Sequence, residues 1–177
     1  MSINITNWVI KFQKGSEVAF EKVYREYSTQ ILKYLIFLSK NNDDAQDISQ
    51  DVWIKVIKKK SSLQKPELFK QWLYRISKTT FLNYYKKRKK ELFAPILDLD
   101  IPTEGDDLLI KIENKELAQN IINNLTEDKK TIFWLRNVEN YTNKEIAKIL
   151  DIPIGTVRSR LFYITKELKQ FADKENQ

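Results

Sequence analysis

With 177 residues the chain can hold one domain or two small ones, and its 42% hydrophobic and 31% charged residues are ordinary for a globular protein. It has no cysteine and no histidine, which excludes disulfides, thiolate chemistry, the usual zinc sites and histidine general-base catalysis, while a net charge of +7 points to an anionic partner. Three glycines and four prolines are few for a β fold with many tight turns, so the expected fold class is all-α.

The charge is uneven along the chain. Residues 1–90 hold 19 Lys+Arg against 8 Asp+Glu, residues 91–110 hold 6 acidic groups and no basic one, and residues 111–177 hold 12 basic against 10 acidic. This reads as a basic domain, an acidic connector and a mildly basic domain. The N-terminal residues lack the basic stretch and apolar core of a secretory signal, and no apolar run approaches the ~18 residues that cross a bilayer. A cytoplasmic location without membrane insertion is the expectation.

From Phe20 to Leu38, apolar residues recur at three- and four-residue steps, which predicts one long amphipathic helix over Glu17 to Lys40, ending near Asn41 and Asn42. A second helix is expected to take Asp43 or Asp44 as N-cap and to bury Ala45, Ile48, Val52 and Val56, leaving Asp44, Asp47 and Asp51 on its opposite face. After a polar connector from Lys58 to Pro66, a third helix should turn Phe69, Trp72, Leu73, Ile76, Thr80 and Tyr84 inward. These three helices make a first domain, residues 1–90. Between 91 and 107 the periodicity fades among Pro95, Pro102, Gly105 and a run of acidic residues, the signature of a linker. Residues 108–177 then form a second domain: helical patterning resumes at Leu109, Ile112, Ile121, Ile122 and Leu125, continues after a candidate N-cap at Thr126 with Ile132, Phe133, Leu135 and Val138, and two more helices follow.

The strongest local motif runs from Tyr141 to Leu161 and reads as a helix-turn-helix. Thr142 and Glu145 have the spacing of a capping box, with Ile146, Ala147 and Leu150 packing inward. Asp151 and Ile152 make the turn, Pro153 suits a first helical position, and Val157, Leu161, Ile164 and Leu168 face the core. Thr156, Arg158, Ser159, Phe162 and Tyr163 are left outward near the start of the second helix, with Arg160 beside them. A recognition helix offers such residues to base edges and phosphates in the major groove. A helical hairpin with a solvated basic face is the bland alternative.

On the third helix, Arg75, Lys78, Leu82, Tyr85, Lys86 and Lys89 share an outward face, with Tyr74 and Thr79 beside it and Lys87 and Arg88 completing a basic run. Cations that track phosphates, interleaved with aromatics that stack on unpaired bases, suit a single-strand or melting surface. The alternative is aromatic core packing with solvated lysines. The acidic face of the second helix suits a basic protein surface or, equally, solvent and local ion pairs with Lys55 and Lys58.

Three blocks in order resemble the extracytoplasmic-function sigma factors, which keep regions 2 and 4 of larger sigma factors. Asp44 to Trp53 is similar to the family segment D-A-E-D-L-x-Q-E-x-F, which implies that Asp47, Gln50 and Asp51, with Asp44 on the same acidic face, meet the clamp helices of the largest subunit of RNA polymerase core. Phe69 to Asn83 resembles F-x-x-W-L-x-R-I-A-x-N, implying recognition and opening of the -10 promoter element by Tyr74, Arg75, Lys78, Thr79, Asn83, Tyr85, Lys86, Lys87 and Arg88. Leu125 to Leu168 resembles region 4, including I-P-x-G-T-V-x-S-R, implying -35 contact through Thr156, Arg158, Ser159, Arg160, Phe162 and Tyr163 and docking on the β flap. The resemblance also brings an anti-sigma factor as a further partner and places the acidic linker in polymerase channels. Thr79 stands where the family commonly has Asn, Tyr163 where a basic residue is usual, and Trp53 replaces a Phe and should simply pack.

A dimeric helix-turn-helix regulator is the competing reading, and it needs a palindromic operator but no acidic docking face. An enzyme acting on nucleic acid is the other, but the chain has no glycine-rich phosphate loop, and its one candidate carboxylate cluster is the acidic helix face. The expectation is a non-enzymatic protein without a cofactor or resident metal.

Overall fold

The computed structural model describes residues 5–91, 122 and 125–175. Among them, all regular structure is helical. The chain divides into two compact units, residues 1–101 and 102–177. Apart from Glu91, the expected linker at 91–107 lies outside the described residues, as do Leu109, Ile112 and Ile121.

Among its described residues the first unit has four α-helices rather than three: α1 (Ile5–Gln13), α2 (Glu17–Ser39), α3 (Asn42–Lys58) and α4 (Phe69–Glu91). Helix α1 is too short for periodicity to reveal, since it buries only Val9 and Phe12. Its work is done by Gln13, whose amide donates to the carbonyls of Lys60 (2.9 Å) and Leu63 (2.7 Å) and so holds the connector after α3. That connector forms two 3-10 turns, Lys60–Ser62 and Pro66–Leu68, the second opening on a proline whose missing N–H is no loss there.

Helix α2 is capped by Ser16 and buries Ala19, Val23, Tyr27, Ile31, Tyr34, Leu35 and Leu38. Tyr24, from the same apolar repeat, stays half in solvent against Trp53, with ring centroids 4.9 Å apart. The cap of α3 is Asn41, not Asp43 or Asp44: its backbone is extended and its side chain accepts the Asp44 amide at 3.0 Å. Both aspartates therefore fall in the first turn, where negative charge complements the helix dipole. Helix α4 also differs from expectation. Phe69, Leu73, Tyr74, Ser77, Thr80 and Phe81 are buried, while Trp72, Ile76 and Tyr84 are half-buried. The reason is that α4 packs against both α2 and α3, which covers two adjoining faces instead of one.

In the second unit, α5 (Glu127–Asn137) buries every residue from Lys130 to Leu135, so its whole circumference is covered there. Thr126 occupies its N-cap position but makes no side-chain cap bond. The next two helices are α6 (Asn143–Leu150) and α7 (Ile154–Glu175). The capping box of α6 is complete: the Glu145 amide donates to Thr142 Oγ1 at 3.3 Å, and the Thr142 amide donates to Glu145 Oε2 at 2.8 Å. Ile146 and Ile149 are its buried residues; Ala147 and Leu150, expected inside, are half-buried. Asp151 turns the chain in a left-handed conformation (φ 54°). Pro153 stands one residue ahead of α7, its carbonyl accepting the amides of Thr156 and Val157.

The capping box gives a stability prediction with a pH sign. Hydrogen bonds from the Thr142 hydroxyl and then the Thr142 amide hold the Glu145 carboxyl below its ordinary value. A folded value below the unfolded one stabilises fully above the ordinary carboxylate range, and that stabilisation is lost as pH falls through the lowered value. Thr142→Ala should destabilise α6 by about 1 kcal/mol. In the full chain, hydrogen exchange of the α6 amides should separate wild type from Glu145→Gln at about pH 7 and much less at about pH 3.

Candidate nucleic-acid interfaces

Helix α4 carries an exposed stripe on its outer side. Arg75, Thr79, Leu82, Asn83, Lys86 and Lys87 are exposed and Lys78 is half-buried. The i, i+4 series Lys78, Leu82, Lys86 sets an apolar side chain between two cations. The Thr79 hydroxyl donates to the Arg75 carbonyl one turn back at 2.8 Å, leaving its lone pairs as acceptors.

Three residues expected on this stripe lie elsewhere. Tyr74 is buried, edge-on to Tyr34 with centroids 5.1 Å apart, because its side of α4 is the one that meets α2. Tyr85 and Arg88 turn toward α3. The Tyr85 hydroxyl donates to Asp44 Oδ2 at 2.8 Å, and Arg88 Nη1 bonds both Asp44 oxygens at 2.5 and 2.7 Å. Tyr84 completes the group by donating to Asp44 Oδ1 at 3.0 Å. Burial first, and the bond to the Asp44 carboxylate second, push both tyrosine hydroxyls above their ordinary range, so they remain protonated donors at neutral pH. The attraction of Asp44 likewise raises Arg88.

Asp44 itself was expected on the acidic outer face of α3, and it is only 9% exposed. Position 44 falls on the i, i+4, i+8 series with Ile48 and Val52, at the edge of the buried stripe. Asp47, Gln50 and Asp51 are exposed on the outer side. The same face continues through Ile54 and Ile57, exposed to 48% and 44%. Sequence reasoning did not single out these two isoleucines, though their displacement from the Ala45–Val56 stripe is a legible signal. Trp53 packs as expected, buried beside Tyr24 and Phe20. Among the described residues no three carboxylates gather to hold a metal ion, and no helix is long and apolar enough to cross a membrane.

In the second unit, α7 presents Arg158, Ser159, Phe162 and Tyr163 outward, and Thr156 is half-buried. Phe162 and Tyr163 are 64% and 54% exposed and meet edge to face at 5.7 Å. The Ser159 hydroxyl donates to the Thr156 carbonyl at 3.1 Å. Arg160 is turned away from these residues: its Nη1 lies 3.0 Å from Asp128 on α5. A parallel ion pair joins Lys129 to Glu167 at 2.7 Å, so α5 and α7 are tied twice.

Two family models match the chain, Sigma-70 region 2 over residues 23–91 and Sigma-70, region 4 over residues 115–164. The chain is 30% identical over 168 residues to the RNA polymerase sigma-H factor of Pseudomonas aeruginosa, spanning 87% of this chain and 86% of that one. It is 29% identical over 170 residues to the ECF RNA polymerase sigma-E factor of Haemophilus influenzae, spanning 87% of each. Among solved structures, the sigma factor RpoE bound to the anti-sigma factor NepR from Bartonella quintana matches with a TM-score of 0.69 at 21% identity, over 87% of this chain and 96% of that one. At that identity the likeness speaks for the fold alone.

The different surroundings of Arg158 and Arg160 separate them experimentally. Arg158→Ala should reduce the salt dependence of duplex binding by about one counterion. Arg160→Ala should leave that slope unchanged and cost at most about 1 kcal/mol of stability, the range of a partly exposed ion pair. Binding of the full chain to a labelled duplex across a salt series, with thermal unfolding alongside, checks both.

Proposed function

This chain belongs to the sigma-70 family, as a sigma factor of the extracytoplasmic-function type, and from that membership we propose how its faces divide the work of transcription initiation. The exposed face of α3, Asp47, Gln50 and Asp51 continued by Ile54 and Ile57, docks on the RNA polymerase core. Helix α7 enters the major groove of the -35 element. The outer stripe of α4 opens the -10 element.

The observation that carries this reading is the pair of unlike exposed faces on one four-helix unit, acidic and apolar on α3, basic on α4. A protein that only binds DNA has no use for the first. The acidic groups give an incoming basic surface its orientation, and the isoleucines supply the area that holds it. On α4, Arg75, Lys78, Lys86 and Lys87 follow phosphates, and Leu82 has the chemistry of a wedge between bases. With Tyr74 in the core and Tyr85 held by Asp44, strand capture rests less on aromatic stacking than the spacing of aromatic residues suggests. On α7, Arg158 and Ser159 suit guanine edges and phosphates, while Phe162 and Tyr163 suit thymine methyl groups. Each face is small, so promoter specificity requires both units held together on the core, where the second contact forms at high effective concentration. An anti-sigma protein is a further partner this reading admits, as the Bartonella quintana sigma factor is bound to one. The reading implies action in the cytoplasm, where polymerase and promoter are found. The dimeric regulator gains no support from any of these features.

Run-off transcription with purified bacterial core polymerase on genomic fragments tests the proposal. Core-dependent transcripts are expected, and tight promoter binding by two copies of the chain without core would overturn it. Asp47→Lys with Asp51→Lys should weaken competition for core by about tenfold or more, because like charges across an interface cost more than the ~1.4 kcal/mol that tenfold represents. Thermal unfolding of the pair should stay within about 0.5 kcal/mol per substitution, as both positions are exposed. Lys78→Ala with Leu82→Ala should leave closed complexes intact but impair opening, and a template with a pre-opened -10 bubble should rescue it. Equal rescue of Arg158→Ala would sink the division between duplex reading and strand opening.

A further inference from the structure

At the carboxylate of Asp44, three side chains of α4 converge on a single group of α3. Tyr84 reaches Oδ1, Tyr85 reaches Oδ2, and Arg88 touches both oxygens. Asp44 is nearly buried while the Arg88 side chain stays 42% exposed, and losing a partner would leave a charged acceptor poorly satisfied. Elsewhere α3 buries Ile48, Val52 and Val56 and α4 buries Leu73 and Phe81, and the Lys55 ammonium of α3 donates to the Thr80 hydroxyl of α4 at 3.2 Å. Apolar surfaces attract without direction and tolerate small slides and rotations. A carboxylate bonded at both oxygens does not, because hydrogen bonds weaken steeply as they bend.

The residues bonded to Asp44 interleave with those on the outer stripe. Tyr84, Tyr85 and Arg88 alternate along α4 with the exposed Asn83, Lys86 and Lys87. Whatever fixes the first set therefore fixes the second, since one residue of rotation swings a helical side chain by about 100°. Asp44 also precedes Asp47, Gln50 and Asp51 by one to two turns on the same helix. A buried carboxylate with its partners is a poor way to gain stability, for which apolar side chains of similar volume serve as well or better. Its distinctive property is register.

We propose that Asp44 is a positioning residue for promoter opening, which sets the basic end of α4 relative to the docking helix α3 through Tyr84, Tyr85 and Arg88. This rests on the proposed use of α3 for core binding and of α4 for strand opening. Asp44 itself touches neither partner. When α3 is seated on the polymerase, the carboxylate hands that position on to Asn83, Lys86 and Lys87.

The test uses the full chain reconstituted with bacterial core polymerase, comparing Asp44→Asn and the double variant Tyr84→Phe with Tyr85→Phe against wild type. The double variant removes only two hydroxyl groups and keeps both rings, so it answers the question if Asp44→Asn fails to fold. Core competition and closed-complex occupancy should stay within about twofold, while permanganate-reactive thymines per bound complex should fall by about tenfold on duplex template. A pre-opened -10 template should restore transcription to near wild type, which loss of folded protein would not do. Opening per bound complex that is unchanged, or that falls only in step with the folded fraction, overturns the positioning role. Wild-type protein that gives no core-dependent transcript at all overturns the proposed function and this inference with it.

Discussion

A helix has room for about two stripes, and α3, α4 and α7 each bury one and leave another exposed. Helix α3 spends Ala45, Ile48, Val52 and Val56 on the core and has Asp47, Gln50, Asp51, Ile54 and Ile57 left to show. Helix α4 is more constrained, because α2 and α3 each take a face of it. What remains is a narrow outer stripe, and its residues are those that packing could spare: Arg75, Thr79, Leu82, Asn83, Lys86 and Lys87. Helix α7 divides in the same way between Val157, Ile164 and Leu168 inside and Arg158, Ser159, Phe162 and Tyr163 outside.

Because the outer stripe of α4 is narrow, small rotations matter, and polar bonds with direction do the work that apolar packing cannot. The Asp44 group fixes α4 against α3, and Gln13 fixes the connector between them by two main-chain carbonyls. In the second unit Asp128 and Glu167 tie α5 to α7 through Arg160 and Lys129. Opposite charges that the composition would assign to separate surfaces are thereby used inside each unit.

Much of this was legible in the sequence. The long α2, the capping box of α6, the turn at Asp151 and the outward Arg158, Ser159, Phe162 and Tyr163 follow from spacing and local chemistry, because neighbours within one or two turns decide them. Helix α1 was not, since two buried residues make no period. Nor was the placement of Asp44, Tyr74, Tyr85, Arg88 and Arg160, for a common reason. Each sits at the edge of a buried stripe, where side-chain type argues for one side and the tertiary partner decides for the other. A carboxylate is assigned to solvent by default, and nothing local reveals that two tyrosines and an arginine about forty residues away will surround it. Ile54 and Ile57 are the converse, apolar residues that helical counting puts outside.

The exposed pair Phe162 and Tyr163 carries a last consequence. Two adjacent large rings left more than half exposed on one helix are unusual for a surface that meets only water. The sigma factors this chain resembles commonly have a basic residue where Tyr163 stands, so on the proposed reading the -35 contact exchanges a charge for apolar area. A contact of that kind releases fewer counterions and so loses less affinity as salt rises, but it also gains less from long-range attraction and orients less strongly. It reads thymine methyl groups better than guanine edges. Approach to the promoter then depends more on the basic stripe of α4 and on the core polymerase, while α7 contributes close fit once the duplex is already at hand.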